Sequence, residues 1–199
     1  FERDMLVHHP RLGKKIRMTR LHRLFARDRE TVDEAFAGDV VGVVNPGMFV
    51  IGDTLSGGAG VEFDKMPSFQ PEFFGVLRND DASRNKQFRK GVTQLAEEGV
   101  VQVYYDPEGV RREPIVGAVG RLQFDVVESR LFQEYGVRAS VDALPYVCAR
   151  WPEGSPEAMK KVRWPSSGVA LTRDQNDKLV CLFASKWDLQ SLVRDYPEV

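Results

Sequence analysis

IVGAVGRLQFDVVESRLFQEYG, residues Ile115 to Gly136, changes its hydrophobic period at Gly120. Before that glycine, Ile115 to Val119 is a short continuous apolar run, which predicts a buried strand. After it, Phe124, Val127, Leu131 and Tyr135 recur three or four residues apart and predict one apolar helical face, with Arg121, Asp125, Glu128 and Arg130 on the other. Gly136 stands where a helix C-terminus favours a left-handed residue. A strand thus feeds a helix with no room for a loop. Gly117-Ala-Val-Gly120 between them has two readings. Glycines ahead of a helix N-terminus can receive a phosphate, and a GxxG loop clamps RNA backbone in KH modules. There, however, the loop joins two helices, whereas here a strand enters it, so Gly117 and Gly120 are read as letting the helix pack closely on its strand.

Working outward, Glu72 to Arg78 predicts a strand bounded by Pro71 and Asn79-Asp80. Ser83 to Glu98 predicts a helix with Phe88, Val92 and Leu95 on one face and Gly99 as its stop. Val100 to Tyr105 alternates as a strand, Asp106-Pro-Glu-Gly109 is a turn, and Val137 to Trp151 is a longer strand region. Strand, helix, strand, strand, helix, strand is the split βαβ, or ferredoxin-like, arrangement, with its core at about residues 72–150. The tail adds a helix from Pro156 to Val162, strands at Val169 to Thr172 and Leu179 to Ala184, and a last helix from Trp187 to Tyr196.

Residues 1–58 carry a different pattern. Met5 to His9, Ile16 to Leu21, Val40 to Val44 and Met48 to Ile51 are short apolar runs separated by Arg11-Leu-Gly-Lys14, Asn45-Pro-Gly47 and Gly52-Asp53, the punctuation of a small β-barrel. Arg27 to Glu34 is charged and reads as a turn or loop. The strands are too few to close a barrel, which, with the start at Phe1, suggests a piece of something longer. Ser56-Gly-Gly-Ala-Gly60 is the best boundary, dividing the chain into 1–58 and 59–199. The fold class is α+β, a partial β-barrel followed by a ferredoxin-like α/β sandwich with a C-terminal extension.

Charge and motif bound the chemistry. A net charge of -1 over 199 residues excludes a generally basic nucleic-acid binder, so such a role must come from a local patch. One exists: Arg11, Lys14, Lys15, Arg17, Arg20 and Arg23 fall within thirteen residues that contain no acid, and on alternating strands several would share a wet face. The alternative is a solvated face balanced by Asp28, Glu30, Asp33 and Glu34. Cys148 and Cys181 sit in apolar surroundings and read as two buried thiols rather than a disulfide or metal site. His8, His9 and His22 read as surface strand residues, with no ligand partner at zinc spacing. No phosphate loop GxxxxGK[ST], no guanine-reading NKxD and no nucleophile elbow is present, so no catalytic site is assigned. No apolar run is long enough to span a membrane.

Gly117-Ala-Val-Gly-Arg-Leu-Gln-Phe-Asp-Val-Val127, with Arg130-Leu131 and Glu134-Tyr-Gly-Val137, resembles the third domain of translational GTPases such as elongation factor G. Gly91-Val-Thr-Gln-Leu-Ala-Glu-Glu98 resembles the preceding helix of that domain. Met66-Pro-Ser-Phe69, Pro71-Glu-Phe73, Lys86-Gln-Phe-Arg-Lys-Gly91, Leu122-Gln-Phe-Asp-Val-Val127 and Ala149-Arg-Trp151 are similar to the bacterial peptide chain release factor three family in particular. Glu34-Ala-Phe-Ala-Gly-Asp-Val-Val-Gly42 and Ile51-Gly-Asp-Thr54 resemble the β-barrel second domain of these factors; from about Ser155 the match is looser. The resemblance implies a GTPase that removes codon-reading release factors from the ribosome after the peptide has been freed, in the cytoplasm. GTP or GDP and magnesium would belong to a nucleotide-binding domain that precedes the barrel and supplies no residue here. It implies as partners that domain and the small ribosomal subunit, both RNA and protein, with the six basic residues as candidate contacts. Two rivals are a stand-alone RNA-binding module that stacks bases on Tyr104 or Tyr105, and a ribosomal protection factor of the tetracycline-resistance type.

Overall fold

In a computed structural model, the helix that follows Gly120 runs from Leu122 to Tyr135 (α2), and Gly136 closes it in the left-handed conformation at φ 65°. The amides of Gly136 and Val137 then return to the carbonyls of Phe132 and Leu131, which satisfies the last turn. The structure describes residues 1–25, 28–44, 47–58, 60–64, 69–165 and 167–199. Arg27, the Asn45-Pro46 half of the predicted turn, Ala59 and the Met66-Pro67-Ser68 motif lie outside them. The chain separates into two compact units, Phe1–Pro67 and Ser68–Val199.

The second unit contains strands Phe73–Asn79 (β6), Gln102–Tyr105 (β7), Ile115–Ala118 (β8), Ala139–Leu144 (β9), Cys148–Arg150 (β10), Val169–Asp174 (β11) and Leu179–Phe183 (β12). Its helices are Asn85–Glu97 (α1), α2, Pro156–Lys161 (α3) and Lys186–Asp195 (α4). All seven strands form one antiparallel sheet in the order β10-β12-β11-β7-β8-β6-β9. Within it, β9-β6-β8-β7 with α1 and α2 is the ferredoxin-like core. Alternation along each strand sorts the side chains between two faces. Leu77, Val103, Val116 and Ala118 meet Phe88, Val92 and Leu95 of α1 and Val127 and Leu131 of α2. Phe74, Tyr104 and Ile115 point the other way and pack with Ala149, Val180 and Leu182 from the tail strands. Residues from both ends of the sheet share that second cluster, so the sheet curls over the face its helices leave bare.

That arrangement departs from the sequence expectation in two ways. The predicted tail strands are not a separate extension but continue the sheet: β11 pairs with β7 through Arg173↔Tyr105 and Asp174↔Tyr104. The long strand region from Val137 to Trp151 is two strands, β9 and β10, at opposite edges. Helix α4 closes the outer side of β12, with Leu189, Leu192 and Trp164 against Cys148, Cys181 and Phe183. The two cysteines are free, buried thiols, as predicted, and burial pushes that of Cys181 up to about 12.

The first unit holds strands Leu6–His9 (β1), Lys14–Arg17 (β2), Leu21–Phe25 (β3), Asp28–Val32 (β4) and Val41–Val43 (β5). They form a β1-β2 hairpin and a β4-β3-β5 sheet, and no closed barrel exists among the described residues. The Asp4 amide bonds to the Met18 carbonyl and extends the hairpin, while the bond from Arg3 to Asp33 and the Glu2↔Glu34 bridge tie it to the end of β4. The charged segment predicted as a loop is in fact β4; every one of its five residues faces a β3 partner, and ladder pairing compensates for poor strand propensity. Met48 to Ile51 forms no strand. Its Val50 amide bonds to the Asp53 carboxylate at 2.8 Å, and the Asp53 amide returns to the Val50 carbonyl, which makes a tight turn in place of a ladder.

Candidate nucleic-acid interface

The six basic residues are dispersed by the fold into different roles. Register places His8 opposite Lys15 and Leu6 opposite Arg17, so Lys15 and Arg17 share the outward face of the hairpin, away from buried Val7 and His9. Lys14 lies across from His9 at the strand end and is exposed. Arg20 is exposed just before β3. Arg23 is exposed within β3, opposite Glu30 and Val41 in its two ladders. None of these five cations forms an ion pair among the described residues. Of the acids that the sequence offers as compensation, Asp33 pairs with Arg3, and Glu30 stands opposite Arg23 across the β3-β4 ladder.

Arg11 differs. Its Nε and Nη2 donate to both carboxylate oxygens of Asp53 at 2.6 and 2.8 Å, and Nη2 also donates to the Met48 carbonyl at 2.7 Å. His9, fully buried rather than on the surface as predicted, adds a third contact, with Nε2 2.9 Å from Asp53 Oδ2. The amide of Leu12 donates to His9 Nδ1, so the proton rides on Nε2 and the imidazole donates to the carboxylate. The His9 ring stacks on Phe49 at 5.8 Å with the planes 7° apart. The Arg11 guanidinium holds the Asp53 carboxyl far below the usual carboxylate range, aided by the Val50 amide and His9. Asp53 is therefore the buried hub of a clamp that fastens the 48–53 turn to the end of β1, and sequence reasoning missed it. Gly52-Asp53 signals a turn, but nothing in the text pairs it with residues 42 and 44 positions away.

Beside this clamp lies a cavity of about 280 Å³. Ile16, Met18, Val43, Val44 and Phe49 supply its apolar lining, and Arg17, Thr19 and Arg20 its polar part. The structure thus brings two of the predicted cations, Arg17 and Arg20, to one pocket.

The second unit offers no comparable site. Gln123 Oε1 accepts from the amides of Val119 and Gly120 at 2.7 and 3.2 Å, so the amides that might have cradled a phosphate are already engaged. Gly117 is a packing residue, but toward the face opposite the helices: an added Cβ would come within 3.0 Å of Pro71 and Tyr104. Gly120 has open space around it, and the packing role predicted for it fails. Asp106 accepts from the amides of Glu108 and Arg111, which makes Asp106 to Gly109 the predicted turn. No cluster of His, Cys, Asp or Glu fit for a metal occurs among the described residues. Tyr104, the residue that would face RNA on a bare ferredoxin-like sheet, is fully buried under the tail strands, which removes the stacking platform of the RNA-module rival. Among the described residues no helix is long and apolar enough to cross a membrane.

A family model described as class II release factor RF3, C-terminal domain, matches residues 63–193, and one described as elongation factor G domain 2 matches residues 1–58. Curated relatives called peptide chain release factor 3 align with the whole chain: one from Nostoc punctiforme is 48% identical, and one from Gloeobacter violaceus 47%. This chain spans only 36% and 38% of their respective lengths. A crystal structure of a Thermus thermophilus protein shares the fold at a TM-score of 0.59, over 77% of this chain and 22% of its own, at 21% identity.

Proposed function

This chain belongs to the class II release factor RF3 family, and from that premise we propose that it is the ribosome-docking and coupling portion of a termination GTPase. The factor promotes departure of codon-reading release factors from the ribosome after peptide release and works in the cytoplasm. Family membership displaces the ribosomal protection factor. GTP, magnesium and the hydrolytic residues belong to a nucleotide-binding domain outside this sequence, whose state this portion transmits by rigid-body rearrangement. The domain division proposed is 1–58 for the barrel-type second domain and 59–199 for the third. Small-subunit RNA and protein are its partners. The observation that carries the docking role is the outward pair Lys15 and Arg17, flanked by Lys14, with no acid paired to it among the described residues. Each phosphate so neutralised adds about one to the slope of affinity against salt. Charge reversal at Lys14, Lys15 and Arg17 in the intact factor should weaken ribosome binding and flatten its salt dependence. Unchanged affinity and slope in a sedimentation assay would refute the docking role of this face.

A further inference from the structure

Strand β9 is an outer strand of the seven-stranded sheet, and along its six residues only β6 pairs with it among the described residues. An edge of that length offers a row of amides and carbonyls to any other strand. The opposite edge, β10, is only three residues long. Two observations show which groups of β9 look outward. The Val141 amide has one proton to give and donates it to Glu128 Oε1 of α2 at 2.8 Å, not to β6. The Asp142 carbonyl oxygen lies 3.0 Å from where a Cβ on Gly75 of β6 would stand, so it is turned inward. Backbone groups alternate between the two sides of an antiparallel strand. Ala139, Val141 and Ala143 therefore present theirs to the open side, and the middle amide of the three is occupied. Glu128 has no second engagement among the described residues: Arg130, the one cation of α2, pairs instead with Glu98 and Glu134.

We propose that Glu128 guards the β9 edge, and that the strand it excludes is β9 of a second copy of this chain. The edge is complementary to itself. Set antiparallel with Val141 opposite its own counterpart, two copies of β9 would pair Ala139 with Ala143 and Ser140 with Asp142. Small residues then meet small residues, and a hydroxyl rather than a second charge stands opposite each carboxylate, which Arg78 already balances. What opposes the pairing is the carboxylate seated on the central amide, because the incoming carbonyl and Glu128 are both acceptors and cannot share one proton. This role of Glu128 is independent of the docking role proposed for the hairpin.

The test uses the intact factor in sedimentation equilibrium over a range of concentrations. Glu128→Gln keeps an acceptor oxygen and should sediment as wild type does. Glu128→Ala should approach twice the wild-type mass as concentration rises. In dilute solution its Val141 amide should exchange with deuterated water about tenfold faster than in wild type, the scale of one net hydrogen bond. Glu128→Met keeps the length of the side chain without the acceptor, and it takes the place of Glu128→Ala if circular dichroism shows that variant to be unfolded. Ala143→Pro removes an outward amide that β6 does not use, so adding it to either variant should restore the wild-type mass. A folded Glu128→Ala or Glu128→Met that keeps the wild-type mass at every concentration would overturn the proposal. So would association that survives Ala143→Pro.

Discussion

Where Phe1–Pro67 converges a carboxylate, a guanidinium and an imidazole on one turn, Ser68–Val199 lets a leucine of one helix meet a glycine of another. Few large apolar side chains are fully buried in the first unit among the described residues, chiefly Val7, Met18 and Leu21. The second has three contiguous apolar clusters. Lacking volume to bury, the first unit fixes its loop geometry with directional, charge-assisted bonds, which are strong where carboxylate and donors are sheltered together. The second fixes its helices by close packing, which tolerates almost no change of volume. One unit should therefore respond to proton concentration and the other to side-chain size.

The largest effect expected is Leu131→Ala. Leu131 is fully inaccessible in the helix-facing cluster, and its truncation should cost about 2–5 kcal/mol. Trp151, Trp164 and Trp187 all lie in the second unit, so chemical denaturation followed by tryptophan fluorescence reads that loss directly. Next comes Asp53→Asn, which should weaken the first unit by about 1–3 kcal/mol by stripping the charge from three donors. Exchange of the Val50 amide with deuterated water would report it while the fluorescence transition stays put. Because folding lowers the Asp53 pKa, its contribution is complete above the unfolded carboxylate value of about 4 and fades as pH falls toward the folded value. Wild type and Asp53→Asn should thus differ at pH 7 and converge in strong acid; a constant gap would break the assignment.

Gly91→Ala sharpens the comparison from the other side. A Cβ there would lie 2.6 Å from Leu131 Cδ2 and 2.9 Å from Tyr135 Cδ2. Overpacking of about 1–3 kcal/mol should outweigh the gain of about 1 kcal/mol in helix propensity. Combined with Leu131→Ala, the same change should cost much less than alone, a coupling that a double-mutant cycle in urea would show. Smallest is Gln123→Ala, which frees the amides of Val119 and Gly120 and should lower the melting midpoint of the second unit by only a few degrees.

How much of this was legible follows from the range of each signal. The bounds of α2 were readable because period and C-terminal glycine are local. The ferredoxin-like order was readable because each element announces its own type. Sheet order beyond it was not: no periodicity states that β11 will pair with β7, some seventy residues earlier. Strand β4 was hidden because it opens on Asp28, Arg29 and Glu30 without apolar alternation, and only its ladder with β3 makes it a strand. At the candidate interface the exposed cations were legible, as a cluster without acids. The diversion of Arg11 to Asp53 was not, since it depends on a contact across 42 positions.

The pairing of β11 with β7 also has a consequence for synthesis. As the polypeptide emerges from N- to C-terminus, residues 73–144 can close the four-stranded core with both helices before β11 and β12 exist. During that interval Phe74 and Tyr104 lack the cover that Val180 and Leu182 supply, since these have yet to leave the tunnel. The nascent form is thus the stage most prone to associate with its neighbours or to need a chaperone. A chain halted after Trp151 should hold helical circular dichroism yet bind a hydrophobic dye that the finished one ignores.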